Sequence, residues 1–433
     1  MSDVHAIRSD LSTASLASPP GPLWRNTDFI KVLAGETVSD LGSQVGDLAL
    51  PLAAALLLQA SPGQMAALGA ADYLPRILLG LVAGVWIDRV RRRPVLIATN
   101  VIRAFLLLGV AAAAALGLLR VELLYAVGVV MAGLGVVFGT ALAAYLPTLV
   151  PPPSLVAANG ARATSSAATD VAGPGVAGIL IQVLGTPMAV AVDSVSFLAS
   201  AAGIALVRAP ELAPPPRAQR RRLDAEVGEG VRRLVGDPIL RALLATAFTA
   251  QFFYRVVMAV YVLYLTRDLA LPPAAAGLLF GLGGGAGVLV GSAAAPAVAR
   301  AFGLGRTLVA AHFLFGVLGL LLALAVVWPS LAVPLVFASE FTQLSVNAVY
   351  MVNRTSLEQT VTPRRLRGRV QASRSVAHAL AGTLGLLLGA VLGEHVGLGA
   401  AIIVGVLGGL GAFLWLWRSP IPRLQALPEL AGE

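Results

Sequence analysis

Carboxylates set in apolar surroundings are the residues of this chain with the most chemistry to offer. Glu36, Asp40 and Asp47 interrupt one long apolar stretch; Asp170, Asp193 and Glu340 interrupt three others, and Arg255 a fifth. Asp40 and Asp47 are seven residues, or two helical turns, apart. On a helix they share a face, about 10 Å apart along the axis. Glu36 extends that face. An ionisable group at the centre of a bilayer costs ~2.5–3.5 kcal/mol on insertion scales, so each one needs a partner or a task. A carboxylate in a poorly solvated cavity can load a proton and release it when water or a cation arrives. That task is expected first of Asp47, then of Asp40, with Asp170 and Glu340 as further proton sites. Asp47 has no partner nearby in sequence, and Pro51, one turn on, frees its carbonyl from the usual helix bond. The alternative for each is a carboxylate held permanently by serines, amides or an arginine.

Asp193, in the outer part of its stretch, reads as a structural cap. Arg255, within QFFYRVVMAVYVLY, must find an anion. Glu340, Asp40, Asp47 or an anionic ligand would serve. Tyr254 and Tyr261 flank it, and Gln343 and Asn347 follow Glu340 at helical spacing. Ligand binding is therefore expected of Arg255, Tyr254, Tyr261, Gln343, Asn347 and Glu36. Arg103 is expected to join a charge network at the ends of the helices.

These residues need a membrane around them. The chain is 57% hydrophobic and 12% charged, with a mean hydropathy of +0.83, where a soluble domain is about half apolar and a quarter charged. A spanning helix needs ~20 apolar residues. Stretches of that kind fall at roughly 28–58, 64–87, 94–118, 122–148, 155–184 and 187–208, then at 238–266, 272–299, 307–328, 330–358, 366–392 and 396–417. The expected fold is all-α, with twelve transmembrane helices in two pseudo-symmetric six-helix bundles, 28–208 and 238–417. A basic linker, 209–237, joins them, and tails flank them at 1–27 and 418–433. Arginines crowd alternate loops: Arg89 to Arg93, the linker, Arg300 and Arg306, then Arg364 to Arg369. By the positive-inside rule both termini are cytoplasmic. The net charge of +9 is accounted for in the same way, so nucleic acid is not an expected partner. There is no cysteine, which excludes disulfides and thiolate chemistry. No hydrolase, zinc-protease or Walker motif occurs, and the glycine-rich GLGGGAG lies inside an apolar stretch with no strand before it. No enzyme and no metal or organic cofactor is expected.

The segment GVWIDRVRRRP resembles the signature between the second and third helices of the major facilitator superfamily. Gly84, Asp88, Arg89, Arg92 and Arg93 match it, while Arg91 and Trp86 depart from it. The resemblance implies a cytoplasmic gate built from these residues, with Arg103 nearby. In the fifth stretch Gly160, Gly173, Pro174 and Gly178 follow the spacing of a motif typical of proton-exchanging exporters, with Thr169 and Ala177 in place of two of its glycines. They imply a hinge, and GLGGGAGVLVGS in the eighth stretch offers a facing small-residue surface. LGSQVGDLALPL, YLPTLVP, VAANGA, VDSVSFLASA and RLRGRVQAS are similar to the branch containing enterobactin exporters and macrolide-efflux-like proteins.

That resemblance implies a secondary active exporter of a small amphipathic organic compound in the bacterial inner membrane. A proton gradient would drive it, and the partners would be substrate, protons and lipid around a monomer. A lipid or lysolipid flippase of the same fold is the alternative within transport. A non-transporting membrane receptor is the alternative outside it.

Overall fold

In the computed structural model the apolar stretches are helices, and the structure describes residues 23–87, 89–211, 232, 234–363 and 366–428. The first series is α1 Thr27–Leu52, α2 Pro62–Ile87, α3 Arg92–Ala115, α4 Val121–Leu149, α5 Leu155–Leu184 and α6 Thr186–Ala205. The second is α7 Pro238–Leu263, α8 Pro273–Phe302, α9 Leu304–Val327, α10 Ala332–Val361, α11 Arg367–His395 and α12 Leu398–Trp417. A π-helical segment, Leu279–Gly285, interrupts α8. Among the described residues nine of these helices are long and apolar enough to cross a membrane. α1 and α10, which carry acids and amides in their interiors, are among the remainder. Most of the linker expected over 209–237 lies outside the described residues, as do most of the N-terminal tail and the last residues, 429–433, of the C-terminal one.

The two series repeat one another closely. α7 starts 211 residues after α1, and each later helix starts 211 or 212 residues after its counterpart. The endings repeat as well. α1 runs into a π-helical turn at Ala53–Leu57 and then Gln59 at φ 50°, while α7 runs into one at Tyr264–Asp268 and then Ala270 at φ 49°. Gly185 and Gly397, both at positive φ, begin α6 and α12. A side chain is strained in that region of backbone space, which suits glycine at the starts of α6 and α12, while Gln59 and Ala270 adopt it despite theirs.

Within the first half α6 packs on α1 and α3, and α2 packs on α4. Within the second, α7 packs on α11 and α12, and α10 on α8 and α9. The halves meet through α2 with α11 and α5 with α8. They meet at the end remote from the starts of α1, α5 and α7. There Glu394 of α11 accepts hydrogen bonds from Ser61 Oγ (2.9 Å) and Gly63 N (3.0 Å) at the start of α2. Arg267 donates to the carbonyl of Ala60 (2.9 Å), and Ala274 N donates to Gln182 (3.2 Å). Toward the other end α5 leaves α8: a side chain at Gly178, Gly277, Gly281 or Gly285 would strike the opposing helix, whereas one at Gly160 would meet nothing within 4 Å. The molecule is closed at one end and splayed at the other.

Candidate functional site

The sequence of α1 fixes how its acids are presented. Gly35, Gly42 and Gly46 form a small-residue face against Ser200, Ser196 and Asp193 of α6, and a methyl at Gly42 or Gly46 would collide with the Asp193 carboxylate. Asp193 is thereby wedged into the first half, only 1% exposed, with Ser196 Oγ donating to its Oδ1 (3.2 Å). The expectation of a structural cap is corrected: Asp193 lies two turns inside α6, against α1, and caps nothing. Asp47, next to Gly46, is within electrostatic reach of it. Asp47 itself is exposed, facing the path between the halves rather than a dry pocket.

Asp47 and Asp193 line a cavity of about 390 Å³. Asp72 and Tyr73 of α2 join them, with Met65, Met131 and Phe197 supplying apolar wall. Arg255 and Met258 of α7 close it from the second half. The Arg255 guanidinium carbon lies 4.5 Å from the centre of the Tyr73 ring and 5.5 Å from that of Tyr254. The anion within its reach is Asp72. Neither Asp72 nor Tyr73 was expected from the sequence, although a lone acid in an apolar stretch was the available signal.

A second polar group lies between α1 and α5, toward the splayed end. Arg162 grips Glu36 through Nε (2.8 Å) and Nη2. Thr37 and Ser165 hydroxyls are 2.5 Å apart, and Gln44 donates to Asp170 (2.9 Å). Asp40 stands between these contacts, within electrostatic reach of Glu36, Asp170 and Arg162. Glu36, Asp40, Gln44 and Asp47 thus run up α1 from the open end to the cavity, over about 16 Å at the rise of a helix. Glu36, expected to contact ligand, is paired within the protein. Arg162, which the sequence reading passed over, is the cation that holds it.

The other expected ligand residues are dispersed. Tyr261 is buried and donates to Glu340 (2.6 Å), inside the second half beside Gly283 and Gly284 of α8. Glu340 is therefore held by a hydroxyl, and it is not the anion facing Arg255. Gln343 donates to Ser339 (2.6 Å) and, with Tyr254, borders a separate cavity of about 60 Å³ between α7, α9, α10 and α12. Asn347 is half-buried on α10.

At the helix ends Asp88 lies outside the described residues, and Gly84 is in the last turns of α2. Arg92 N and Arg93 N donate to the carboxylate of Glu211, which takes the start of α3, and the Arg93 guanidinium donates to the Ala205 carbonyl (2.6 Å). Arg89 is exposed. Arg103 is not at the ends: it is buried in the first half, 5.3 Å from both the Phe138 and Phe197 rings, and belongs to the surroundings of Asp193. In α5 Gly173 lies against Gln44, while the Pro174 carbonyl and Gly178 lie against Gly277 of α8. The α8 face meeting them is Gly277, Gly281 and Gly285. Gly283, Gly284, Gly287 and Gly291 of the same segment face α10 instead.

Two repeated helical halves enclosing a polar cavity define a multi-pass membrane transporter. A family model, the Major Facilitator Superfamily, matches residues 32–358 and 243–431, and the chain belongs to that family. It is 27% identical over 397 residues to the uncharacterized MFS-type transporter YfiS of Bacillus subtilis, covering 88% of this chain and 91% of that one. It is 27% identical over 379 residues to the multidrug efflux pump Tap of Mycolicibacterium fortuitum, covering 84% and 88%. Among solved structures it resembles a bacterial homologue of the iron transporter ferroportin in its inward-facing state, with TM-score 0.70, 18% identity and coverage of 92% and 100%. Against the outward-facing state the TM-score is 0.54, at 19% identity and coverage of 90% and 98%. At these identities the structural likeness carries the fold alone.

Proposed function

We propose that this chain exports a small amphipathic organic compound across a bacterial inner membrane, exchanging it for protons by alternating access. The observation that carries this reading is the line of carboxylates on α1, leading from the splayed end to the Asp47–Asp193 wall of the cavity. A proton moving along it meets acids or amides at each turn. At its end Asp47, exposed to the path, and Asp193, buried beside Gly46, repel one another, and a proton on either removes the repulsion. The apolar wall, rich in methionine, suits a flexible hydrophobic body. Likeness to a multidrug efflux pump supports export over import. By the distribution of arginine the splayed end is cytoplasmic, so this conformation is the one that loads from inside.

Asp47→Asn in inverted vesicles tests the coupling. Uphill transport driven by a pH gradient is expected to fall at least tenfold, while downhill exchange of substrate persists. A variant that still pumps uphill at the parent rate would remove Asp47 from the mechanism and turn attention to Asp193 and Asp40.

A further inference from the structure

The most unusual contact in the cavity is made by the chain with itself. Arg255 reaches from the second half onto the Tyr73 ring of the first, beside Asp72. It is not clasped in the forked manner of Arg162 on Glu36: its buried Nε has no hydrogen-bond partner. A guanidinium held by a ring face and a nearby charge, with a donor left over, is held loosely for an arginine.

The cavity around it has the features of a cation site. Asp193 is 1% exposed and lines the cavity, with Ser196 Oγ donating to its Oδ1 and Asp47 within electrostatic reach. Two carboxylates set close together in one cavity wall favour a cation or a proton between them. The charged groups lining the cavity are Asp47, Asp72, Asp193 and Arg255, with Arg103 behind Asp193 between Phe138 and Phe197. Tyr73 and Phe197 offer ring faces, and about 390 Å³ accommodates a drug-sized body.

We propose that Arg255 is a tethered occupant of this cation site, and that the transported compound is an organic cation which displaces it from the Tyr73 ring. The proposal rests on the transport reading only in taking the cavity as the substrate's path. Its consequence is mechanical. Tyr73 belongs to the first half and Arg255 to the second, so displacement cuts a contact between the halves at the cavity, on the α2–α11 seam that runs to their closed end. Substrate binding and loosening of that end then become one event, which is differential binding between two states.

Equilibrium dialysis of tetraphenylphosphonium with the purified full chain, without any gradient, tests this. The parent is expected to bind tetraphenylphosphonium and not its neutral relative triphenylphosphine oxide; equal binding of the two, or no binding of the cation, overturns the proposal without any variant. Arg255→Gln and Arg255→Leu, both prepared so that misfolding of one leaves the other, should tighten binding about three- to tenfold by removing the resident competitor. Asp193→Asn should weaken it at least tenfold. Unchanged or weaker binding in a folded Arg255 variant overturns the tethered-occupant role. Binding of this pattern without uphill transport in vesicles would sink the exporter reading and leave the cation site standing. Uphill transport indifferent to substrate charge would do the reverse.

Discussion

The two halves of this transporter share a backbone and divide the chemistry. Carried across the repeat of 211 or 212 residues, Asp47 corresponds to Met258, Gln44 to Arg255 and Asp40 to Gln251. The packing contact behind Asp47 is the most instructive. In the first half Gly46 of α1 makes room for Asp193 of α6; in the second the matching pair is Val257 of α7 and Gly405 of α12, which also pack on one another. Each pair has one glycine, but on opposite helices. Where the second half fills the space with a valine, the first uses it to bury a carboxylate. The backbone is thus tolerant of either arrangement, and the position of one glycine decides whether this contact holds a carboxylate or a valine.

Transplanting the second half's solution into the first is the severest test of that comparison. Gly46→Val should drive into the Asp193 carboxylate and destabilise the protein by ~1–3 kcal/mol or more, as overpacking does. The double variant Gly46→Val with Asp193→Gly copies the second-half pair. It should recover most of the lost thermal stability in detergent while remaining unable to pump uphill. A double variant that pumps would show that Asp193 is packing alone.

A smaller effect is expected where the halves touch. Glu394→Ala removes the acceptor for Ser61 and Gly63, leaving Arg267 and Gln182 to hold the closed end. Both hydrogen bonds are exposed and individually weak, so accessibility to an external reagent of a cysteine introduced at Leu68, which lines the cavity, should rise about two- to fivefold. The native chain has no cysteine to obscure the readout. An unchanged labelling rate would mean that the α5–α8 glycine seam alone keeps this end shut.

The smallest effect separates the two kinds of motif glycine. Gly160→Ala meets nothing within 4 Å, and transport and stability should stay within ~0.5 kcal/mol of the parent, the range of ordinary surface changes. A large loss would give Gly160 a contact in the opposite state that this conformation does not contain.

Much of the helical order was legible in the sequence, because apolar length and arginine-rich loops are local signals. The helices at 92–115, 121–149 and 304–327 begin within three residues of the expected stretches. Glycines of α5 and α8 were legible as a pair of facing surfaces, yet the register was not: the contact starts at Gly277, earlier than the GLGGGAG run suggests. Partner choice was least legible. Asp193 looked like a cap because its environment is made by Gly42 and Gly46, some 150 residues away. Arg255 had three plausible anions in the sequence and lies near a fourth, Asp72. Which charges meet is a property of helix rotation and tilt, and those depend on packing that no single stretch encodes.

The start of α2 shows how a gate can open without disturbing the helix that forms it. Ser61 N donates to the Gln64 side chain (2.9 Å) and Ser61 Oγ accepts from Gln64 N (3.2 Å), a reciprocal box closed within one turn. Glu394 is a third participant added from the other half. In the alternating access proposed above, water can replace Glu394 while the box keeps the first turn of α2 from fraying. The element therefore moves as a finished rod whose end needs no refolding on either side of the cycle. Its share of the opening barrier is the exchange of one carboxylate for solvent, a step on the timescale of side-chain motion.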